Sequence, residues 1–406
     1  MMSFEGTGKG PSAQRAVVAF LAMVSVYFFS YFQRAAIPGT IFNELQADMG
    51  LSAAAVASLG SMFTWVYGGM QIFVGMLTDR YGGVRTLLGG GLLMASGALL
   101  FPLSHSTLLL FIARILTGFG ASFIYLSILK ELDFLFGKRN FTVAVGAMLC
   151  VAYCGGMAGS LPFERATAAF GWRNSLLVVA VLMFATLAIA GMVLRRLEQY
   201  PKSTRAFSFR PLGEVFHNRA CWPLLASSLF SFPIFFVIQT VLGKKFLQDF
   251  GGLSSPTSAT FILVMTAVSA ISVVVGGFLP RILSERRKPC QLGGAIVVVL
   301  AAGLLLVGVR IRAPGWLYLG GFVLLAVANA SIPAGTAVMK ELNRSGSMAA
   351  AISVMNGLAY LGCGTIGQAG GFILDLYSGQ AVASCQSIVY PQTAYMALFG
   401  FLTCLA

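Results

Sequence analysis

Gly75-Met76-Leu77-Thr78-Asp79-Arg80-Tyr81-Gly82-Gly83-Val84-Arg85 is a short charged turn set between two long apolar runs, 52–77 and 86–104. Runs of that length cross about 30 Å of hydrocarbon when helical, and the turn is too short and too charged to be anything but a connection at a membrane face. The rest of the chain repeats the contrast. Of 406 residues, 57% are apolar and only 10% charged, against about a quarter charged in a soluble domain. A water-soluble fold is excluded. Hydrocarbon supplies no hydrogen-bond partners, so the apolar segments must satisfy their own backbones as helices or as a closed barrel. They lack the period-two alternation of barrel strands, which selects helices.

Working outward, twelve apolar segments emerge, near 16–41, 52–77, 86–104, 107–131, 141–163, 173–194, 220–243, 256–280, 290–309, 314–339, 347–374 and 393–406. The last is short for a span, as a helix cut before its end would be. Polar residues 1–15 lead straight into a full-length span with no small-residue cleavage site, so no removable signal peptide is expected. The formal charge of +14 does not point to nucleic acid, because the basic residues fall in short clusters between spans. With both termini inside, cytoplasmic Lys and Arg outnumber the outer set of Arg165, Arg173, Lys244, Lys245, Arg310 and Arg312 by roughly three to one. That bias predicts a multi-pass protein of the cytoplasmic membrane with both ends in the cytoplasm. Six of the seven cysteines lie in apolar segments and only Cys385 in a loop, so no disulfide framework is implied.

The basic stretch 195–219 is the longest polar segment and divides the chain into six-span halves, 1–194 and 220–406. The halves echo each other. Lys130-Glu131-Leu132 ends the fourth span and Lys340-Glu341-Leu342 the tenth, while Gly75, Arg80 and Arg85 find counterparts in Gly276, Arg281 and Arg286. Matches at equivalent topological places favour a duplicated unit, and two such bundles can rock about a central site.

The Gly75–Arg85 turn closely resembles the loop between spans two and three of the major facilitator superfamily. The resemblance extends over essentially the whole chain. Arg114-Ile115-Leu116-Thr117-Gly118-Phe119-Gly120 is similar to the family's fourth-span pattern, and Gly171-Trp172-Arg173 opens span six. It implies an all-α integral membrane fold of twelve helices in two pseudo-symmetric bundles, and solute transport by alternating access. Gly75, Asp79, Arg80, Gly82 and Arg85 are then expected to form a gating latch. Asp79 can accept from helix N-termini or an arginine of the other half, and Arg80 and Arg85 can pair with carboxylates at span ends. The plainer alternative is a positive loop with an incidental aspartate. Pro280 stands where the second half would repeat Asp79, so any latch is asymmetric.

An arginine inside a span is costly and normally faces a cavity or a partner. Arg34 lies in the outer half of span one, within the aromatic run Tyr27, Phe28, Phe29, Tyr31, Phe32 and Gln33. The context Tyr31-Phe32-Gln33-Arg34, with Asp48-Met49-Gly50-Leu51-Ser52 after it, resembles the sugar-phosphate and organic-anion permeases. In that branch a first-span arginine holds the substrate's anionic group, which implies the same role for Arg34. The second arginine common in span seven is missing; Phe230 to Gly243 offers only Gln239. One negative charge, or a zwitterion, is therefore expected rather than a phosphate dianion. The alternative for Arg34 is snorkelling to the outer interface. Arg114 is read equally as a transport residue and as a structural hydrogen-bond hub. Among the amides inside spans, Gln71, Gln239, Asn329, Asn356 and Gln368, the favoured candidates for solute contact are Gln239 and Asn356, although such an amide more often makes an interhelical bond. Tyr27, Tyr31, Trp65, Tyr67 and Tyr125 either wall the cavity or pack and face lipid.

All thirteen acidic residues fall in tails, loops or near span ends, so no mid-membrane proton site is legible. Uniport or exchange is expected as readily as proton symport. Span five lacks the Gly-Pro pair of the antiporter motif, and no nucleotide-binding loop occurs. No metal ligand set, cofactor motif or nucleophile-base pair appears, so neither enzyme chemistry nor a cofactor is expected. The sequence therefore reads as a monomeric carrier of a small, anionic or zwitterionic organic solute, in contact with lipid and not with nucleic acid. Two alternatives stand beside it: an exporter of amphipathic compounds, and a transporter-like receptor or assembly protein.

Overall fold

The computed structural model describes residues 13–195, 210–282, 286–344, 347–384 and 387–406. The first half contains α1 (Ala13–Ala36), α2 (Phe42–Met49), α3 (Ala53–Tyr81), α4 (Gly83–Leu103), α5 (Thr107–Ala158), α6 (Leu161–Phe170) and α7 (Trp172–Leu194). A short helix α8 (Arg210–His217) precedes α9 (Trp222–Val237), α10 (Gly243–Asp249), α11 (Ser255–Ile282), α12 (Lys288–Ile311), α13 (Gly315–Ala328), α14 (Ile332–Leu342), α15 (Met348–Asp375) and α16 (Gln392–Leu405). The only strands among the described residues are β1 (Val382–Ser384) and β2 (Ser387–Val389), an antiparallel pair in which Ala383 faces Ile388. Helices α1, α3, α4, α5 and α7 pack on one another, as do α9, α11, α12, α13, α15 and α16. The two sets meet where α3 lies along α15 and α11 against α5 and α6. Below, "upper" denotes the end holding residues 38–52 and 376–391, and "lower" the end holding Gly82.

Among the described residues, ten helical segments are long and apolar enough to cross a membrane. Helix α3 has the length but carries more polar groups, consistent with the long face it turns to α15, and α16 has 14 residues. Leu92, Leu108, Val181, Ile189, Val274 and Leu300 are exposed, as side chains facing lipid must be. Tight connections depend on glycine at two places. Gly82 (φ 90°) turns the chain from α3 into α4 while its N–H closes α3 on the Thr78 carbonyl at 3.0 Å, and Gly171 (φ 77°) does the same between α6 and α7. Such φ values are strained for any residue with a Cβ.

Three expectations need correction. Residues 132–140, read as a loop between spans four and five, are helical within the 52-residue α5. Span seven does not end at Gly243. A π-helical turn over Ile238–Leu242 carries it into α10, so Lys244 and Lys245, expected in an outer loop, are helical and buried. Their charges are tolerated because Lys245 Nζ pairs with Asp249 one turn on at 2.9 Å, and Lys244 Nζ donates to the Thr40 carbonyl at 2.5 Å. The segment 195–219 is not wholly linker: Val215 of α8 packs with Cys221, Met339 and Val354 beneath the second set. Residues 196–209 lie outside the described residues.

Candidate functional site

Arg34 sits in the last turn of α1, where Pro38, lacking an N–H, cannot satisfy the Arg34 carbonyl. Its side chain is only 4% exposed, so it does not reach the membrane interface. Nη1 donates to the Tyr360 hydroxyl of α15 at 2.6 Å and Nη2 to Ser30 Oγ at 3.4 Å, while Nε has no hydrogen-bond partner. The guanidinium carbon lies 4.3 Å from the Tyr67 ring centre, 4.8 Å from Tyr31, 5.2 Å from Tyr360 and 5.9 Å from Phe63. Aromatic faces attract the cation but do not neutralise it. Among the described residues no carboxylate forms an ion pair with it.

The aromatic cluster draws on both halves. Tyr31 meets Tyr27 at 5.2 Å and Tyr153 at 5.7 Å, and Tyr125 lies 6.0 Å from Tyr27. From the other half, Tyr360 is 4.4 Å from Tyr67 and 5.8 Å from Phe236. Between Arg34, Phe63, Arg114, Phe236 and Cys363 remains a cavity of about 10 Å³, space for about one water. The site is closed in this structure. Tyr360, Phe63 and Phe236 were not singled out from the sequence, since aromatics in apolar spans are common and nothing local marks these.

Arg114 is differently placed. Its Nε donates to the Leu59 carbonyl at 3.1 Å, Nη1 to that of Gln33 at 3.3 Å and Nη2 to that of Ile37 at 3.0 Å. All three nitrogens are thus engaged, and two of the acceptors belong to the end of α1, where helix carbonyls lack partners. Gln239 Nε2 donates to Thr266 Oγ1 at 2.7 Å within the second half. Asn356 Nδ2 donates to Gln71 Oε1 at 3.2 Å, joining α15 to α3. Neither amide touches Arg34. Of the candidate latch, the Asp79 side chain lies outside the described residues. Arg80 lies 5.6 Å from the Tyr81 ring, Gly82 forms the turn, and Lys130 Nζ donates to the Thr78 carbonyl at 2.9 Å. Gly75 has open space where a Cβ would stand.

Above Arg34 the halves are sealed. Ser61 Oγ donates to the Gly364 carbonyl at 2.7 Å, Ser58 Oγ to Gln368 Oε1 at 2.5 Å and Asn43 Nδ2 to Gln248 Oε1 at 3.2 Å. The Asp375 carboxylate, at the end of α15, accepts from Ala53 N and Ala54 N, each at 2.9 Å, and so caps the first turn of α3 across the interface. Tyr390 supports it by donating to Asp375 Oδ1 at 3.3 Å. Burial pushes the Tyr390 phenol up to about 12, so it stays a donor at neutral pH.

The family model of the Major Facilitator Superfamily matches residues 23–365. A cephamycin export protein of Amycolatopsis lactamdurans is 28% identical over 46% of this chain and 39% of its own length. The multidrug resistance protein MdtM of Escherichia coli O157:H7 is 23% identical over 75% of each chain. The matched region spans less than two thirds of the first curated relatives, between 39% and 65% of their lengths. Among solved structures, a bacterial homologue of the human lysosomal transporter Spinster, inward-facing and occupied, superposes with a TM-score of 0.74 at 19% identity, covering 91% of this chain and 84% of that one. That likeness establishes the fold. With the model match over most of its length and the shared architecture, the chain belongs to the Major Facilitator Superfamily.

Proposed function

We propose that the protein carries a small organic solute bearing one negative charge, or a zwitterion, across a membrane by rocking of its two six-helix halves, 1–194 and 220–406. The observation that carries this reading is Arg34, a buried cation with no carboxylate partner among the described residues. A charge so placed is retained where a ligand supplies the counter-charge. In the closed arrangement the Tyr360 hydroxyl stands where an anionic oxygen would. Tyr360 belongs to the second half and Arg34 to the first, so separating α15 from α1 frees the guanidinium fork as it opens the site. Binding and opening are thereby linked. The halves sit in the cytoplasmic membrane with both termini inside, and the protein works as a monomer. Gly75, Asp79, Arg80, Gly82 and Arg85 act as the lower latch.

The test is uptake into proteoliposomes after a thermal-shift screen with monocarboxylates, sugar phosphates, amino acids and neutral analogues. Stabilisation and uptake should follow a single negative charge and fail in Arg34→Gln. Normal anion uptake by a folded Arg34→Gln protein overturns the reading. A second reading, export of amphipathic compounds, draws on the aromatic lining and on the names of the cephamycin and multidrug relatives. It predicts that uncharged aromatic compounds stabilise the protein and that Arg34→Gln leaves their transport intact.

A further inference from the structure

Two cations border the closed cavity, not one. Arg34 of α1 and Arg114 of α5 both line it, both are buried, and among the described residues neither is paired with a carboxylate. Arg114 is not exhausted by its backbone contacts. A guanidinium has five N–H donors, and those of Arg114 engage three acceptors, the carbonyls of Leu59, Gln33 and Ile37. Donors remain on a second permanent charge beside the same cavity, and an anion with two negative charges would suit the pair of arginines better than an anion with one.

What stands beside both cations is the ring of Phe63 in α3. Its centre lies 5.9 Å from the guanidinium carbon of Arg34 and 4.7 Å from that of Arg114, and it lines the same cavity. Its π face attracts each cation but gives a solute oxygen neither donor nor acceptor. The field of Arg114 passes the ring, yet a carboxylate stripped of water also needs hydrogen bonds, and here it would meet carbon. The ring is held in place. It is fully buried and lies nearly parallel to the Tyr67 ring, 6.2 Å away at 11°. Its backbone is pressed against α5, where a Cβ on Gly118 would come within 2.6 Å of the Phe63 carbonyl. Arg34, Phe63 and Arg114 all belong to the first half, so rocking of the halves carries the three together and the ring keeps its place when the site opens.

We propose that Phe63 sets the charge specificity of the site. By filling the space beside both guanidinium groups it leaves only Arg34 within reach of a solute, which limits the solute to one negative charge. Replacing the ring by a small side chain opens that space and admits a dianion held between Arg34 and Arg114. In the protein as it stands Arg114 serves the fold alone, and Phe63 is what keeps it from serving the solute. The inference rests on the reading of Arg34 as the cation that binds the solute, and it adds the residue that makes one cation count where two are present.

Thermal shift of the purified protein tests it at about pH 8, where free carboxyl groups are ionised. The probes are two matched pairs, succinate with monomethyl succinate and isophthalate with monomethyl isophthalate, whose members differ by one charge at nearly constant length. The wild type should reach half-maximal stabilisation at an at least about tenfold lower concentration of the half-ester than of the diacid. In Phe63→Ser the diacid should equal or overtake its half-ester, moving that ratio at least about tenfold. Should Phe63→Ser not fold, Phe63→Ala also removes the ring and takes its place. A preference for the half-ester that persists unchanged in the folded variant overturns the proposal. So does an equal gain for both members of a pair, which would mean added room and not access to a second cation, and so does a wild type that already binds the diacids as well. A wild type stabilised by none of the four probes contradicts instead the anion reading of Arg34, which separates the failure of that reading from the failure of the role given to Phe63.

Discussion

Arg34 and Arg114 are chemically identical, both buried, and flank the same Phe63 ring, at 5.9 and 4.7 Å respectively. Their environments separate their roles. Arg114 spends its donors on backbone carbonyls of α1 and α3, so Arg114→Gln should destabilise the fold by about 2–4 kcal/mol, since buried acceptors lose charged donors. Thermal unfolding should show the drop, with solute selectivity unchanged in whatever protein folds. Arg34 has a hydroxyl, rings and an idle Nε. Arg34→Lys keeps the charge but loses the planar fork, so uptake should fall strongly, and Arg34→Gln should nearly abolish it. Tyr360→Phe removes the stand-in oxygen and leaves a charged donor unpaired in the closed state. It should lower stability without solute by about 1–3 kcal/mol, and added anion should restore more of that loss than it adds to wild type. Equal anion-induced shifts in the two proteins would show that Tyr360 and solute do not compete.

At the scale of elements, helix contacts depend on small residues. A Cβ on Gly68 of α3 would come within 2.8 Å of the Gly357 carbonyl on α15, and one on Gly118 of α5 within 2.6 Å of the Phe63 carbonyl on α3. Without a hydrophobic drive between helices in lipid, close backbone approach supplies much of the packing. The two contacts differ in kind, since Gly118 packs within a half and Gly68 packs across the interface. Gly118→Leu should lower thermal stability, whereas Gly68→Leu should leave each half folded and instead weaken the closed seal. Labelling of a cysteine introduced at Val241, buried in that seal, by a membrane-impermeant maleimide should quicken in Gly68→Leu. Unchanged labelling would mean that α3 and α15 do not part there.

For the whole molecule, the upper seal contains a charge-to-dipole contact that the sequence did not disclose. Asp375, ending α15, caps the first turn of α3 in the opposite half. Asp375→Asn keeps one acceptor and loses the charge, so it should shift the balance away from the sealed state by about 1 kcal/mol, roughly fivefold in population. The same Val241 cysteine reports it as faster labelling from the upper side. If the lower latch works as proposed, Asp79→Asn should act in the opposite direction and slow labelling at that cysteine. Turnover should suffer more than binding, because neither aspartate touches the solute site.

Helical character and the presence of many membrane-spanning segments were legible from the chain alone, because both depend on hydropathy summed over about 20 residues, and such sums are insensitive to partners. Arg34 was legible for the same reason: a permanent charge in an apolar run demands an explanation wherever the helix packs. Which arginine staples backbone carbonyls and which meets only hydroxyls and rings could not be read there, since that depends on which groups a neighbouring helix presents. The same holds for Lys244 and Lys245. Hydropathy ends a span at the first charges, whereas the fold carries α10 through a π-turn and cancels the Lys245 charge with Asp249 one turn later. Tyr360 became part of the site only when α15 met α3, because a tyrosine in an apolar span carries no signal until its hydroxyl finds a cation. The sequence determines what must be buried; only tertiary structure, by choosing partners, decides which buried polar groups are satisfied and which remain for a ligand.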